Sequence, residues 1–98
     1  MSSLVHADIF TVMGSVCAEV ARYDSALSNS RADQAKQAVS RAEEIMNFSQ
    51  KLAQLNSAQK LEINKFRDYF LYKVKNSEKS GSEKYLLPFA TAARLRQL

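Results

Sequence analysis

The chain is short of everything that usually interrupts or staples a fold. It holds two glycines, one proline, one cysteine, one histidine and no tryptophan. Glycine and proline ordinarily make up about 7% and 5% of a protein. Two and one in 98 residues therefore predict long elements with few breaks. The lone Cys17 excludes an intramolecular disulfide and any cysteine-based zinc cluster. It sits among apolar residues and reads as a small buried hydrophobe.

The lone His6 excludes the paired Glu-x-x-His motifs of a carboxylate-bridged di-iron bundle. It also stands eleven residues from Cys17, about 16 Å along a straight helix, too far for a Cys–His dyad. No glycine-rich phosphate loop and no nucleophile elbow is present. Glu43 and Glu44 are adjacent and project about 100° apart on a helix, so they do not chelate one ion alone. Asp8, Glu19 and Asp24 are separated by 11 and 5 residues, which puts no pair one turn apart; they read as solvated helix positions. These absences predict a protein that is not an enzyme and uses no cofactor or metal.

Long hydrophobic runs are missing too. The least polar stretch, residues 9–18, spans ten residues, where a bilayer crossing needs about 20. The N-terminal MSSLVHAD has no cationic region of the kind that opens a signal peptide. Without secretion, the glycosylation-like Asn47-Phe48-Ser49 has no meaning, and a cytoplasmic location is expected.

What the chain does have is helical periodicity. Its 46% hydrophobic and 24% charged residues suit one soluble domain, which at this size buries roughly 60–70% of its unfolded surface. Val5, Ile9, Val12, Val16, Val20, Tyr23 and Leu27 follow steps of 4, 3, 4, 4, 3 and 4, predicting a first helix over residues 4–27. Phe10, Met13 and Cys17 widen that stripe enough to touch two neighbours. Ser2 or Ser3 can cap its start.

Ser30-Arg31-Ala32-Asp33 resembles a capping box with Asp replacing Glu, and a second helix is expected from there to Leu55. Its inward positions are Ala35, Ala38, Val39, Ala42, Ile45, Met46, Ser49 and Leu52. Asn56 and Gln59 predict the cap of a third helix over residues 57–76. Ile63, Phe66, Tyr69, Phe70 and Val74 form its expected apolar side. The stretch NSEKSGSEK, residues 76–84, has linker composition. Residues 89–98 read as a short helix, which Pro88 either separates from the residues before it or opens as a first-turn proline.

The expected fold is all-α: an antiparallel bundle of three long helices plus a short C-terminal helix. Residues 1–76 form the core, 77–84 a linker, and 85–98 a segment that closes the bundle or binds a partner.

Function has to be sought on a surface. Residues 1–49 carry four Lys and Arg against six acids, net −2, while residues 50–98 carry ten against four, net +6. Within the rear half, residues 61–75 interleave Phe66, Tyr69, Phe70 and Tyr72 with Lys65, Arg67, Lys73 and Lys75. Lys65, Asp68, Tyr72, Lys75 and Lys79 fall at steps of 3, 4, 3 and 4 on a face distinct from the apolar one. Lys65, Tyr72, Lys75 and Lys79 are therefore the expected partner-binding residues, with Arg94 and Arg96 accessory.

The expected function is a small non-enzymatic protein–protein interaction module, an adaptor, regulatory or chaperone-like subunit. A protein partner or a second copy would dock by helix-in-groove anchors. The alternative is a nucleic-acid-binding protein whose Lys60, Lys65, Arg67, Lys73, Lys75, Lys79, Lys84, Arg94 and Arg96 contact phosphates while Tyr72 stacks on a base. No helix-turn-helix spacing supports that alternative. A membrane surface is disfavoured, because Glu62 and Asp68 interrupt the basic helix.

Overall fold

Asp8 opens the first helix with its own side chain: in the computed structural model, which describes residues 8–80, its carboxylate accepts from the Thr11 amide at 2.9 Å. That cap satisfies one of the amides left unpaired at a helix start. Helix α1 spans Ile9–Ser28, starting later than the expected residue 4; the expected caps Ser2 and Ser3 lie outside the described residues. Helix α2 spans Ala32–Ser49 and α3 spans Ser57–Lys75. Among the described residues there are three helices and no strand. The expected short C-terminal helix lies outside the described residues.

The connection between α1 and α2 corrects the reading of Ser30. This serine does not cap α2; it terminates α1 in the left-handed region at φ 56°. The Arg31 amide donates to Ala26 O at 2.8 Å and the Ser30 amide to Leu27 O at 3.2 Å. These are the two bonds of a Schellman motif, which usually places glycine where Ser30 stands. A residue used to end one helix is not in the extended conformation needed to cap the next. The cap position of α2 passes to Arg31, which makes no side-chain cap bond.

The same motif ends α3. Ser77 has φ 53°, its amide donates to Val74 O at 3.0 Å, and the Glu78 amide donates to Lys73 O at 2.9 Å.

Helix α2 stops at Ser49, short of the expected Leu55. The Ser49 hydroxyl donates to Met46 O at 2.6 Å, and the backbone tightens into bonds between residues three apart, from Gln50 to Asn47 through Leu52 to Ser49. Leu52 and Leu55 are both buried by this turn. No glycine or proline marks the break, so the apolar periodicity runs through it. The cap of α3 is as expected: the Asn56 side chain accepts from the Gln59 amide at 2.8 Å, and the Asn56 amide donates to Gln59 Oε1 at 3.0 Å.

The core draws on all three helices. Val12, Met13, Val16, Val20 and Tyr23 come from α1; Ala35, Ala38, Ala42, Ile45 and Met46 from α2; Ile63, Phe66 and Phe70 from α3. The alanines of α2 let α1 approach closely, and these two helices form the most extensively packed pair. Helix α3 packs less against the backbone of its neighbours and anchors through aromatics. Phe70 meets Tyr23 edge-on with ring centres 5.3 Å apart and stacks on Phe66 at 6.1 Å. Burying such a side chain fully is worth roughly 1.5–3 kcal/mol.

Successive helices run in opposite senses. Glu19 of α1 pairs with Arg41 of α2, farther from their connection than Ala26 and Arg31, while Asn47 of α2 pairs with Arg67 and Gln50 with Asn64.

Candidate functional site

A helix that buries only one narrow side must show the rest to solvent. Helix α3 buries Ile63, Phe66 and Phe70. Leu61, Tyr69 and Tyr72, at 53%, 43% and 63% exposure, are the exposed large hydrophobic side chains among the described residues, and all three lie on α3. Lys65, Asp68 and Lys75 are exposed between and beyond them. Leu61, Lys65, Asp68, Tyr72 and Lys75 follow steps of 4, 3, 4 and 3, the spacing of one continuous helical face.

Of the sequence-predicted binding residues, Lys65, Tyr72 and Lys75 are brought together on this face. Lys79 is exposed but lies four residues beyond the last residue of α3. Its helical register with the others is broken where the chain turns at Ser77. Arg94 and Arg96 lie outside the described residues.

Leu61 and Tyr69 are additions that sequence reasoning missed. Leu61 has a legible signal, since it stands one helical step ahead of Lys65 in the same progression. Tyr69 is expected on the apolar side from its spacing. It occupies the boundary instead, with its ring against Phe66 at 6.3 Å and its hydroxyl donating to Ser80 O at 2.7 Å.

Not every cation of α3 is available to a partner. The Arg67 guanidinium donates to Asn47 Oδ1 at 2.7 Å, tying α3 to α2. Lys73 pairs with Glu78 at 3.2 Å and lies 5.7 Å above the Tyr69 ring, within cation–π range. The hydrogen bond to Glu78, followed by that carboxylate's charge, holds the Lys73 ammonium above its ordinary pKa.

Residues 76–80 form a strap from the end of α3 back to α1. The Tyr23 hydroxyl donates to Glu78 O at 2.8 Å. Asp24 accepts from the Ser80 amide at 2.7 Å and from the Ser80 hydroxyl at 2.6 Å. Asp24 is therefore half-buried and engaged, where a solvated position was expected. Burial pushes the Tyr23 phenol above its ordinary pKa, and the charges of Asp24 and Glu78 add to the shift.

Glu19 is the second correction of this kind, at 4% exposure on α1. Its carboxylate takes Arg22 Nη1 at 2.7 Å and Arg41 Nε at 2.9 Å. Two guanidiniums replace the water that the buried carboxylate gives up.

Among the described residues, no group of three or more His, Cys, Asp or Glu side chains is placed to hold a metal ion. No described helix is long and apolar enough to cross a membrane. Cys17 is half-buried and packs against the core. No protein family, curated protein or solved structure matches this chain.

Proposed function

We infer that this chain is a small helical interaction module that binds another protein through the outward face of α3. The partner segment is amphipathic and acidic, with apolar side chains meeting Leu61, Tyr69 and Tyr72 and carboxylates meeting Lys65 and Lys75. The observation that carries the reading is the gathering of three exposed large hydrophobic side chains on one helix. Scattered single hydrophobes on a surface need no explanation, but a grouped set favours an interface. Tyrosine suits such a face because it offers a large apolar body and a polar tip at low entropic cost.

The balance of free charge favours a protein over a nucleic acid. Arg67 and Lys73 are engaged within the chain, and the exposed carboxylates of Glu62 and Asp68 interrupt the remaining cations. A phosphate backbone would meet those carboxylates as repulsion, whereas a mixed protein surface accommodates them. The same two carboxylates disfavour an anionic membrane.

The test is affinity capture by the full-length chain at low and high salt, with and without nuclease. It is run beside a variant carrying Lys65→Glu, Tyr72→Ala and Lys75→Glu. A protein retained after nuclease and high salt, and lost from the variant while its helical circular dichroism is intact, is the expected result. Equal retention by the variant removes the face from consideration. Recovery of material that nuclease or salt releases replaces this reading with the nucleic-acid one.

A further inference from the structure

On the side of the molecule built by α1 and α2 alone, a hollow of about 460 Å³ opens between the two helices near their connection. Arg22, Arg31 and Arg41 all line it, together with Gln34, Gln37 and Asn29, and no Asp or Glu among the described residues does. These three are the only arginines in the first 49 residues, a segment whose net charge is −2. Their convergence is opposite to what the segment's composition favours.

Glu19 explains part of that convergence and leaves the rest. Among the described residues its two oxygens engage only Arg22 Nη1 and Arg41 Nε. Each guanidinium carries five N–H donors, so both retain donors on the hollow side. Arg31 makes no side-chain hydrogen bond and no ion pair among the described residues. Three guanidiniums against one buried carboxylate leave two positive charges facing a concave space. The side-chain amides of Gln34 and Gln37 add neutral donors and acceptors.

Guanidinium forks match the oxygens of phosphate in shape as well as charge. The volume falls within the roughly 300–1,000 Å³ of small-molecule sites. We propose that this hollow is a binding site for a small phosphorylated ligand carrying at least two negative charges, held by Arg31 with the free donors of Arg22 and Arg41. The site is independent of the α3 face, since no residue of α3 lines it.

The proposal is tested by titrating the ¹⁵N-labelled full-length chain with inorganic pyrophosphate at low ionic strength, read by two-dimensional NMR. Saturable shifts of the Arg31 Nε–H and of the Gln34 and Gln37 side-chain amides are expected. Arg31→Gln removes an exposed side chain with no bonded partner among the described residues, so its thermal melt should match the parent. It should weaken pyrophosphate binding about tenfold, the size of one charge-assisted hydrogen bond. Gln37→Glu, a change at an exposed position, places a carboxylate among the guanidiniums and should abolish saturation. A Lys65→Gln, Lys75→Gln double variant should bind as the parent does. No saturation in the parent, or affinity unchanged by both Arg31→Gln and Gln37→Glu, overturns the proposal. So does loss of binding in the lysine variant alone.

Discussion

Glu19 shows how a single residue can be placed wrongly by pattern and rightly by partners. Within α1 alone, it is an acid with no cation one turn away except the exposed Arg22. Its burial depends on Arg41, 22 residues distant on another helix, which no spacing rule within α1 reveals. The chemistry makes the cluster asymmetric. Arg22 and Arg41 are 62% and 47% exposed and hydrate easily when Glu19 is removed, whereas Glu19 has nowhere to hydrate. Glu19→Leu should therefore change stability by less than about 1 kcal/mol, as buried ion pairs exchanged for apolar groups often do. Arg22→Met combined with Arg41→Met should cost about 3 kcal/mol, because it strands a buried carboxylate. Urea unfolding of both variants checks the order, and equal losses would refute the account. Ser30 and Ser77 carry a local cost of a different kind. Both sit where only glycine is unstrained, and the left-handed region costs other residues about 1–2 kcal/mol. Glycine gives back roughly 0.5–1 kcal/mol in chain entropy. Ser30→Gly with Ser77→Gly should raise the urea midpoint modestly, by a net stabilisation of up to about 1 kcal/mol.

At the scale of the element, legibility follows the locality of the signal. Helix α3 was legible to within a residue, because Asn56 and Gln59 form a reciprocal cap three positions apart and the Asn76–Glu78 turn ends it. The inward stripes of α1 and α2 were equally legible from Val12 to Tyr23 and from Ala35 to Met46. The end of α2 was not. Leu52 and Leu55 satisfy a helical period whether the backbone is α-helical or turned, and it is in the turn that both join the core. The candidate face was legible at Lys65, Tyr72 and Lys75 because helix spacing alone groups them. It was illegible at Tyr69, whose position between core and solvent depends on the strap at Ser80. Since α3 packs less than its neighbours, its cap should matter more than most. Asn56→Ala is expected to cost about 1 kcal/mol, with the earliest gain in amide exchange at residues 57–60.

Across the whole molecule, α1 and α3 are joined as much by the strap as by direct packing of their backbones. Composition reads residues 77–84 as a linker, yet Glu78 and Ser80 are bonded to Tyr23, Asp24, Tyr69 and Lys73. Serine and glutamate have linker statistics; the tertiary positions of α1 and α3 give them partners. Two of those groups, Tyr23 and Lys73, hold their protons more tightly in the fold than their ordinary values of 10.0 and 10.5. Below those values both states are protonated and the strap's contribution is complete. As pH rises past them, the unfolded chain releases protons that the folded chain keeps, so unfolding becomes favoured. The strap's contribution should thus be complete at neutral pH and fall steadily as pH rises past the ordinary tyrosine value of 10.0, with Tyr23 the main cause because burial drives its shift. Tyr23→Phe separates this from general alkaline denaturation. It removes one hydrogen bond, costing about 1 kcal/mol at neutral pH, and it removes the titrating phenol. The variant should start lower yet decline less steeply through the alkaline range in urea unfolding followed by circular dichroism. A parallel decline in both proteins would show that the closure of α1 on α3 does not depend on the protonated Tyr23 hydroxyl.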